Sequence, residues 1–208
     1  MEITIIGTGN MARGIGTRAV AGGHEVTLLG TEQAHAEELA AELEDSVKAG
    51  TVGDPIAGDV VVLAVWYPVS REVVERYGDQ LDGKVVVDIT NPLDLEAFEP
   101  IVPEAGSGAQ EVADAAPNAK VVKAFNTTFA GTLAGGGKVA GQPLDVFIAS
   151  DDEDAKRTVA QLVEDAGLRA VDAGPLRRAR ELEALGYLHM GVQEPLGTGF
   201  SSALKVVS

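Results

Sequence analysis

The segment that most constrains this chain is Gly7-Thr8-Gly9-Asn10-Met11-Ala12, set directly behind the short apolar run Ile3-Thr4-Ile5-Ile6. Two glycines separated by a single residue let a chain leave a strand, turn sharply and admit a close neighbour where a Cβ would intrude. Ala12 is small enough for the helix that follows to pack on the strand. The first turn of that helix offers unpaired N–H groups and the positive end of its dipole, which suits a pyrophosphate. A G-x-G-x-x-A pattern alone is a weak signal. Here it lies between an apolar run at 2–6 and a second one at about 24–30, the context that the motif requires. The segment is therefore read as the phosphate turn of a dinucleotide site, with a purely structural turn as the competing account.

Alternation of apolar runs with helically spaced segments continues along the chain. Asp59-Val-Val-Val-Leu-Ala-Val65 and Lys84-Val-Val-Val-Asp88 are uninterrupted apolar runs of the kind buried on both faces of a parallel sheet. Helices are expected at 10–22, 32–43, with Ala34, Leu39, Ala40 and Leu43 on one face, and at 70–77, 153–166 and 176–189. Further strands are expected at 47–51, 121–124, 146–149 and 169–172. The glycine-rich stretch 131–143 reads as a surface turn. The fold class expected is α/β, a Rossmann-type doubly wound, mostly parallel sheet with a small C-terminal extension packed against it. A nucleotide domain over 1–124 and a substrate-side part over 125–208, packed as one unit, follow from that reading.

The chain has 208 residues, no cysteine and a formal charge of −16 from 32 acidic and 16 basic side chains. Disulfides, thiolate metal sites and thiol nucleophiles are thereby excluded, and no metal site is expected. The acidic balance argues against nucleic acid and anionic membranes as partners. No apolar run approaches a membrane span, and the first strand starts at Glu2, leaving no room for a signal peptide. A cytoplasmic location is the default expectation. An anionic ligand must be held by local N–H groups and a few placed cations.

At the end of the second strand stands Gly30-Thr31-Glu32, with neither an acidic residue at the strand end nor a following Arg. Small Gly30 and the hydroxyls of Thr31 and Thr8 leave space for a 2′-phosphate, so NADP is expected. Glu32, if turned inward, would favour NAD instead. Val65, Trp66 and Pro68 follow the fourth strand and are read as a wall for the nicotinamide. Tyr67 is assigned to the second substrate, although packing on the next helix is an equal reading. Asn91 and Asn126 end later strands and are read as cofactor contacts, with Thr127 facing the second substrate. Asn-Pro at 91–92 is equally a plain turn signal. His189 is either a substrate contact or a buried, hydrogen-bonded structural histidine. Gly197-Thr198-Gly199-Phe200 either closes over a second ring or simply ends the chain. Arg177, Arg178 and Arg180 either attract an anionic tail or pair with Glu181 and Glu183.

Taken together, Gly7-Thr-Gly-Asn-Met-Ala12, Leu63-Ala-Val-Trp-Tyr-Pro68, Val87-Asp-Ile-Thr-Asn-Pro92 and Lys123-Ala-Phe-Asn-Thr127 resemble the NADPH:coenzyme F420 oxidoreductase family. Gly174-Pro-Leu176 and Ala179-Arg-Glu-Leu-Glu183 extend the likeness over nearly the whole chain. The reductase domain of the STEAP metalloreductases is similar in the same places. The resemblance implies a small oligomeric oxidoreductase, expected as a homodimer, that passes hydride between NADP(H) and coenzyme F420 or a flavin. Two positions depart from the pattern: Thr31-Glu32, where NADP-using members commonly carry a Ser-Arg pair, and Asn126, where archaeal members tend to carry His. Hydride transfer between stacked rings needs alignment more than acid–base groups, which fits the absence of a catalytic triad or carboxylate pair. Alternatives are an NAD(P)H-dependent flavin or ferric reductase, and a non-catalytic NADP(H) sensor. An expected deep apolar set around Trp66 and Phe200 ranks the sensor last.

Overall fold

The computed structural model describes residues 1–44, 46–94 and 96–207. In chain order it contains β1 (Glu2–Ile6), α1 (Asn10–Ala21), β2 (Glu25–Gly30), α2 (Gln33–Leu43), β3 (Lys48–Thr51), β4 (Val60–Leu63), α3 (Tyr67–Tyr77) and β5 (Val85–Asp88). There follow β6 (Leu93–Asp94), β7 (Glu99–Pro100), α4 (Gly108–Ala115), β8 (Lys120–Lys123), α5 (Ala130–Ala134), β9 (Lys138–Val139) and β10 (Gln142–Pro143). The chain closes with β11 (Asp145–Ala149), α6 (Glu153–Asp165), β12 (Arg169–Gly174), α7 (Ala179–Gly191) and α8 (Gln193–Leu196).

Eight strands form one sheet in the order β12-β11-β8-β5-β4-β1-β2-β3. All neighbours are parallel except β8 and β11, which meet antiparallel at Ala149 and Lys123. Strand order reverses between β1 and β4, and in sheets of this type that point opens a crevice beyond the carboxyl ends of the strands. The fold is the expected Rossmann-type α/β sheet, and the C-terminal segment extends it with β11 and β12.

Period-two alternation explains why the apolar runs are unbroken. Ile3, Ile5, Val60, Val62, Val85 and Val87 face α1, α2 and α6 across one core. Ile6, Val61, Leu63 and Val86 face α3 and α4 across the other. Each helix supplies a matching stripe: Ala12, Ile15 and Ala19 from α1, and Val73, Val74 and Tyr77 from α3. In α2 the buried positions are Ala36, Leu39 and Ala40, whereas Ala34 is exposed. Leu39 and Ala40 are buried as the spacing predicts and Leu43 packs half-buried on the same core, so only the first position differs, Ala36 in place of Ala34.

The stretch 131–143 is more ordered than a surface turn. It begins in α5, which packs on α1 so closely that a Cβ on Gly14 would stand 2.9 Å from the Ala130 carbonyl. It ends in the β9–β10 hairpin. Among the described residues no helix is long and apolar enough to cross a membrane.

Candidate functional site

The turn at 7–12 joins β1 to α1 at the switch point. Gly7 has φ +120°, and a Cβ there would lie 2.2 Å from the Ala64 carbonyl oxygen, so only glycine fits. Its N–H donates to the Leu29 carbonyl at 2.8 Å, which ties the turn to β2. Gly9 differs: a Cβ built on it has nothing within 4 Å. The first helical donor engaged at this end is Arg13, to the Gly9 carbonyl at 3.0 Å. Open space over Gly9, beside the first turn of a 12-residue helix, is the shape and polarity that a pyrophosphate needs. The turn therefore fits the phosphates of a dinucleotide.

Gly30 is buried against Thr8, whose methyl would be 2.9 Å from an added Cβ, while Thr31 and Glu32 are exposed. Glu32 stands at the N-cap of α2 in extended conformation. Arg13, in the first turn of α1, pairs with Glu42.

Beyond β4 the backbone passes through Val65 to Trp66, the N-cap of α3, with Pro68 in that helix's first turn. Trp66 is 66% exposed and Phe200 51% exposed. The expected deep apolar set around these two residues is thus not formed, because each side chain projects from an exposed turn. Tyr67 donates its hydroxyl to Glu111 of α4 at 2.9 Å. Burial, and then Glu111 beside it, push that phenol up to about 12.

Asn91 and Asn126, beyond β5 and β8, are brought together. Asn126 Nδ2 donates to Asn91 Oδ1 at 2.9 Å, and Asn91 Nδ2 returns a bond to the Asn126 carbonyl at 2.9 Å. Asn126 Nδ2 also reaches the Leu182 carbonyl on α7 at 2.8 Å. Phe125, just before it, holds φ +60°, a left-handed conformation that costs a non-glycine residue on the order of 1–3 kcal/mol and clusters at ligand sites. Asn126 Oδ1 is buried with no partner among the described residues, leaving an acceptor available.

Thr127 connects this region to the C-terminal segment. Its carbonyl contacts His189 Nδ1 at 3.1 Å, and His189 Nε2 lies 2.8 Å from the Ser202 hydroxyl. The ring is buried 4.4 Å from the Phe129 ring, and burial pulls its pKa below the ordinary value. Phe129 meets Phe200 edge-on at 5.2 Å. Gly197 and Gly199 have φ +64° and +55°, the conformations that turn residues 197–200 back toward α7. Thr198 Oγ1 donates to Gln193 Oε1 at 2.5 Å.

A feature invisible in local sequence lies beneath the asparagines. Lys123, Asp88 and Glu183 form a buried charged cluster, with Lys123 Nζ 2.7 Å from Asp88 Oδ2 and 2.8 Å from Glu183 Oε1. Glu183 was expected to pair with the arginines at 177–180. Instead Arg178 and Arg180 meet Glu181 on the surface, at 3.9 and 3.2 Å. The helix turns Glu183 inward, where burial pushes its carboxyl up and Lys123 offsets part of the shift. All three members lie in the motifs that carry the family resemblance, yet they are 35 and 60 residues apart.

Comparison with known proteins bears directly on this arrangement. A family model described as NADP oxidoreductase, coenzyme F420-dependent, matches residues 2–92. An F420-dependent NADP reductase of Methanothermobacter thermautotrophicus is 31% identical over 204 residues, covering 89% of this chain and 86% of that protein. The metalloreductase STEAP3 of Rattus norvegicus is 30% identical over 88% of this chain, but the chain spans only 36% of its length. Among solved structures, a candidate F420-dependent NADP reductase from Arthrobacter sp. FB24 superposes with a TM-score of 0.88 at 28% identity, covering 99% of each chain.

Proposed function

The chain belongs to the coenzyme F420-dependent NADP oxidoreductase family and is an NADP-dependent oxidoreductase, and we propose that it transfers hydride between NADP(H) and coenzyme F420. The observation that carries the choice of deazaflavin is the likeness to the Methanothermobacter reductase over 86% of that protein's length, not over the nucleotide half alone.

NADPH, when bound, supplies a hydride at the nicotinamide, and the second substrate supplies a ring carbon that takes it up. The residues of this chain hold and shield. The turn at 7–12 takes the pyrophosphate on backbone N–H groups, and Gly30, Thr31 and Thr8 take the 2′-phosphate end. The Asn91–Asn126 pair offers the unpaired Asn126 Oδ1 to a carboxamide donor at the strand ends. Trp66, Val65 and Pro68, which follow β4, the neighbour of β5 in the sheet, are assigned to the same nicotinamide end. Phe200, exposed on a turn with glycines at 197 and 199, gives the second ring a surface to stack on. Proton transfer is not assigned to Tyr67 or His189. Burial and then Glu111 keep the proton on the phenol, and both imidazole nitrogens are already engaged.

The STEAP likeness supports a second reading, reduction of a flavin or a ferric chelate. The test is oxidation of NADPH, and separately NADH, with F420, FMN or ferric citrate as acceptor. Bleaching of F420 at a rate well above that of FMN and iron is the expected result. Preference for FMN or iron would replace the deazaflavin with the second reading. Firm NADP(H) binding without turnover of any acceptor would favour a sensor.

A further inference from the structure

The charged cluster beneath the asparagines has no part in holding phosphates or in flanking the rings. Lys123, the last residue of β8, is fully buried, and its ammonium makes three hydrogen bonds to protein. They go to Asp88 Oδ2 at the end of β5 (2.7 Å), to Glu183 Oε1 on α7 (2.8 Å) and to the Thr90 carbonyl. Asp88 Oδ1 also accepts the Thr90 N–H at 3.2 Å. Glu183 accepts the N–H groups of Gly108 and Ala109, which open α4, at 3.2 and 3.4 Å. One cation therefore ties two strand ends and two helices to a single point.

Stability is a poor reason for such a cluster, because apolar side chains of similar volume usually hold elements together at least as well. Direction is what it supplies. The Thr90 carbonyl that Lys123 holds precedes Asn91, and Phe125 turns the chain from Lys123 to Asn126 through a left-handed step. Leu182, next to Glu183, accepts from Asn126. About one turn further along α7, Gly186 lies so near that a Cβ would be 2.8 Å from Asn91 Oδ1 and 2.9 Å from the Asn126 carbonyl. Sliding α7 would break the Asn126–Leu182 bond and drive the helix backbone at Gly186 against or away from the asparagine pair.

We infer that Lys123 is a positioning residue for the nicotinamide end of NADP, acting through the Asn91–Asn126 pair that it holds in register with α7. The inference rests on the assignment of that pair to the nicotinamide end. The experiment compares two ligands, NADP⁺ and 2′-phosphoadenosine diphosphoribose, which keeps the phosphates but lacks nicotinamide. Affinities are measured by calorimetry for the wild type, Lys123→Met and Glu183→Gln. The glutamine variant keeps side-chain volume and an acceptor for Lys123, so it carries the test if the methionine variant fails to fold. In a folded variant NADP⁺ affinity is expected to fall about tenfold, in line with the loss of a charged hydrogen bond. Affinity for the fragment should stay within about twofold of wild type. Equal weakening of both ligands, or a wild-type preference for NADP⁺ that both variants keep, overturns the inference. A wild type that binds both ligands equally overturns the nicotinamide assignment first, and the inference with it.

Discussion

Gly9 and Gly7 stand two residues apart in one turn and serve different ends. The Gly9 backbone, at φ −81° and ψ −173°, is open to any L-residue, and a Cβ there meets no atom of the protein. Gly7, with φ +120° and the Ala64 carbonyl 2.2 Å from any Cβ, accepts nothing larger. Gly9→Val should therefore abolish NADP(H) binding while changing stability by less than about 1 kcal/mol. Gly7→Ala should lose the fold along with the ligand. Thermal melts and NADPH titration of both variants check the contrast, and unchanged affinity in Gly9→Val would remove the phosphate assignment. The turn was visible in the sequence because its spacing, small residue and flanking strands all fall within thirty residues. The exposure of Trp66 was not, since nothing in the pattern says which way an N-cap side chain leaves its turn. The inward turn of Glu183 was hidden for a similar reason: its helix neighbours Arg180 and Glu181 are charged and exposed, and its partner lies 60 residues away.

Among the elements, those with long unbroken apolar runs were readable, and α1, rich in Ala and Gly, was readable beside the phosphate turn. β4 and β5 follow from Val-Val-Val runs buried on both faces. By contrast α4 is Gly-Ala-Gln-Glu-Val-Ala-Asp-Ala, which has one large apolar residue and no clear stripe. Tertiary context defines it: Ser107 caps it through the Gln110 N–H at 3.1 Å, and Glu183 meets its first N–H groups. The strand β11, second from the β12 edge of the sheet, shows how residues 205 and 206 are fixed. Asp145, which opens it, is buried and binds Arg169 of β12 through Nε at 2.8 Å, Lys205 at 2.6 Å and the Val206 N–H at 2.8 Å. Burial alone would raise this carboxyl, but Arg169, Lys205 and the Val206 amide outweigh it and hold the carboxyl below its ordinary value of 3.8. Its stabilisation is then complete above that value and is lost as pH falls through the lowered folded pKa. Asp145→Asn should cost roughly 2 kcal/mol at pH 7, less than a fully buried pair because Arg169 and Lys205 are part-exposed. The gap from wild type should narrow as the pH drops below about 4. Urea unfolding at pH 7 and below 4, with amide exchange at Val206, measures both effects. A gap that is independent of pH would mean that packing, not the carboxylate, holds the tail.

For the whole molecule the dominant quantity is its charge of −16, set against a ligand that is itself strongly anionic. Local geometry favours phosphate at the N-terminus of α1, yet the summed field of the protein opposes the ligand's approach. Screening separates these two effects by range. The Debye length is about 30 Å at 0.01 M salt and about 10 Å at 0.1 M, so added salt removes the long-range repulsion while contacts of a few ångströms survive. Association of NADPH, followed by stopped-flow fluorescence, should therefore speed up by several-fold between 10 and 200 mM NaCl. Dissociation should change much less, because it is governed by short contacts at the turn. The same screening should raise the melting temperature over that range, since self-repulsion of a highly charged fold weakens with it. Enzymes that draw anions in with a basic surface show the opposite salt dependence. An association rate that falls with salt would place a local positive field above the global one, and would point to Arg13, freed from Glu42, as its source. Arg13→Ala at both salt concentrations distinguishes the two: under global repulsion it leaves the rising rate intact, and under local attraction it removes the fall.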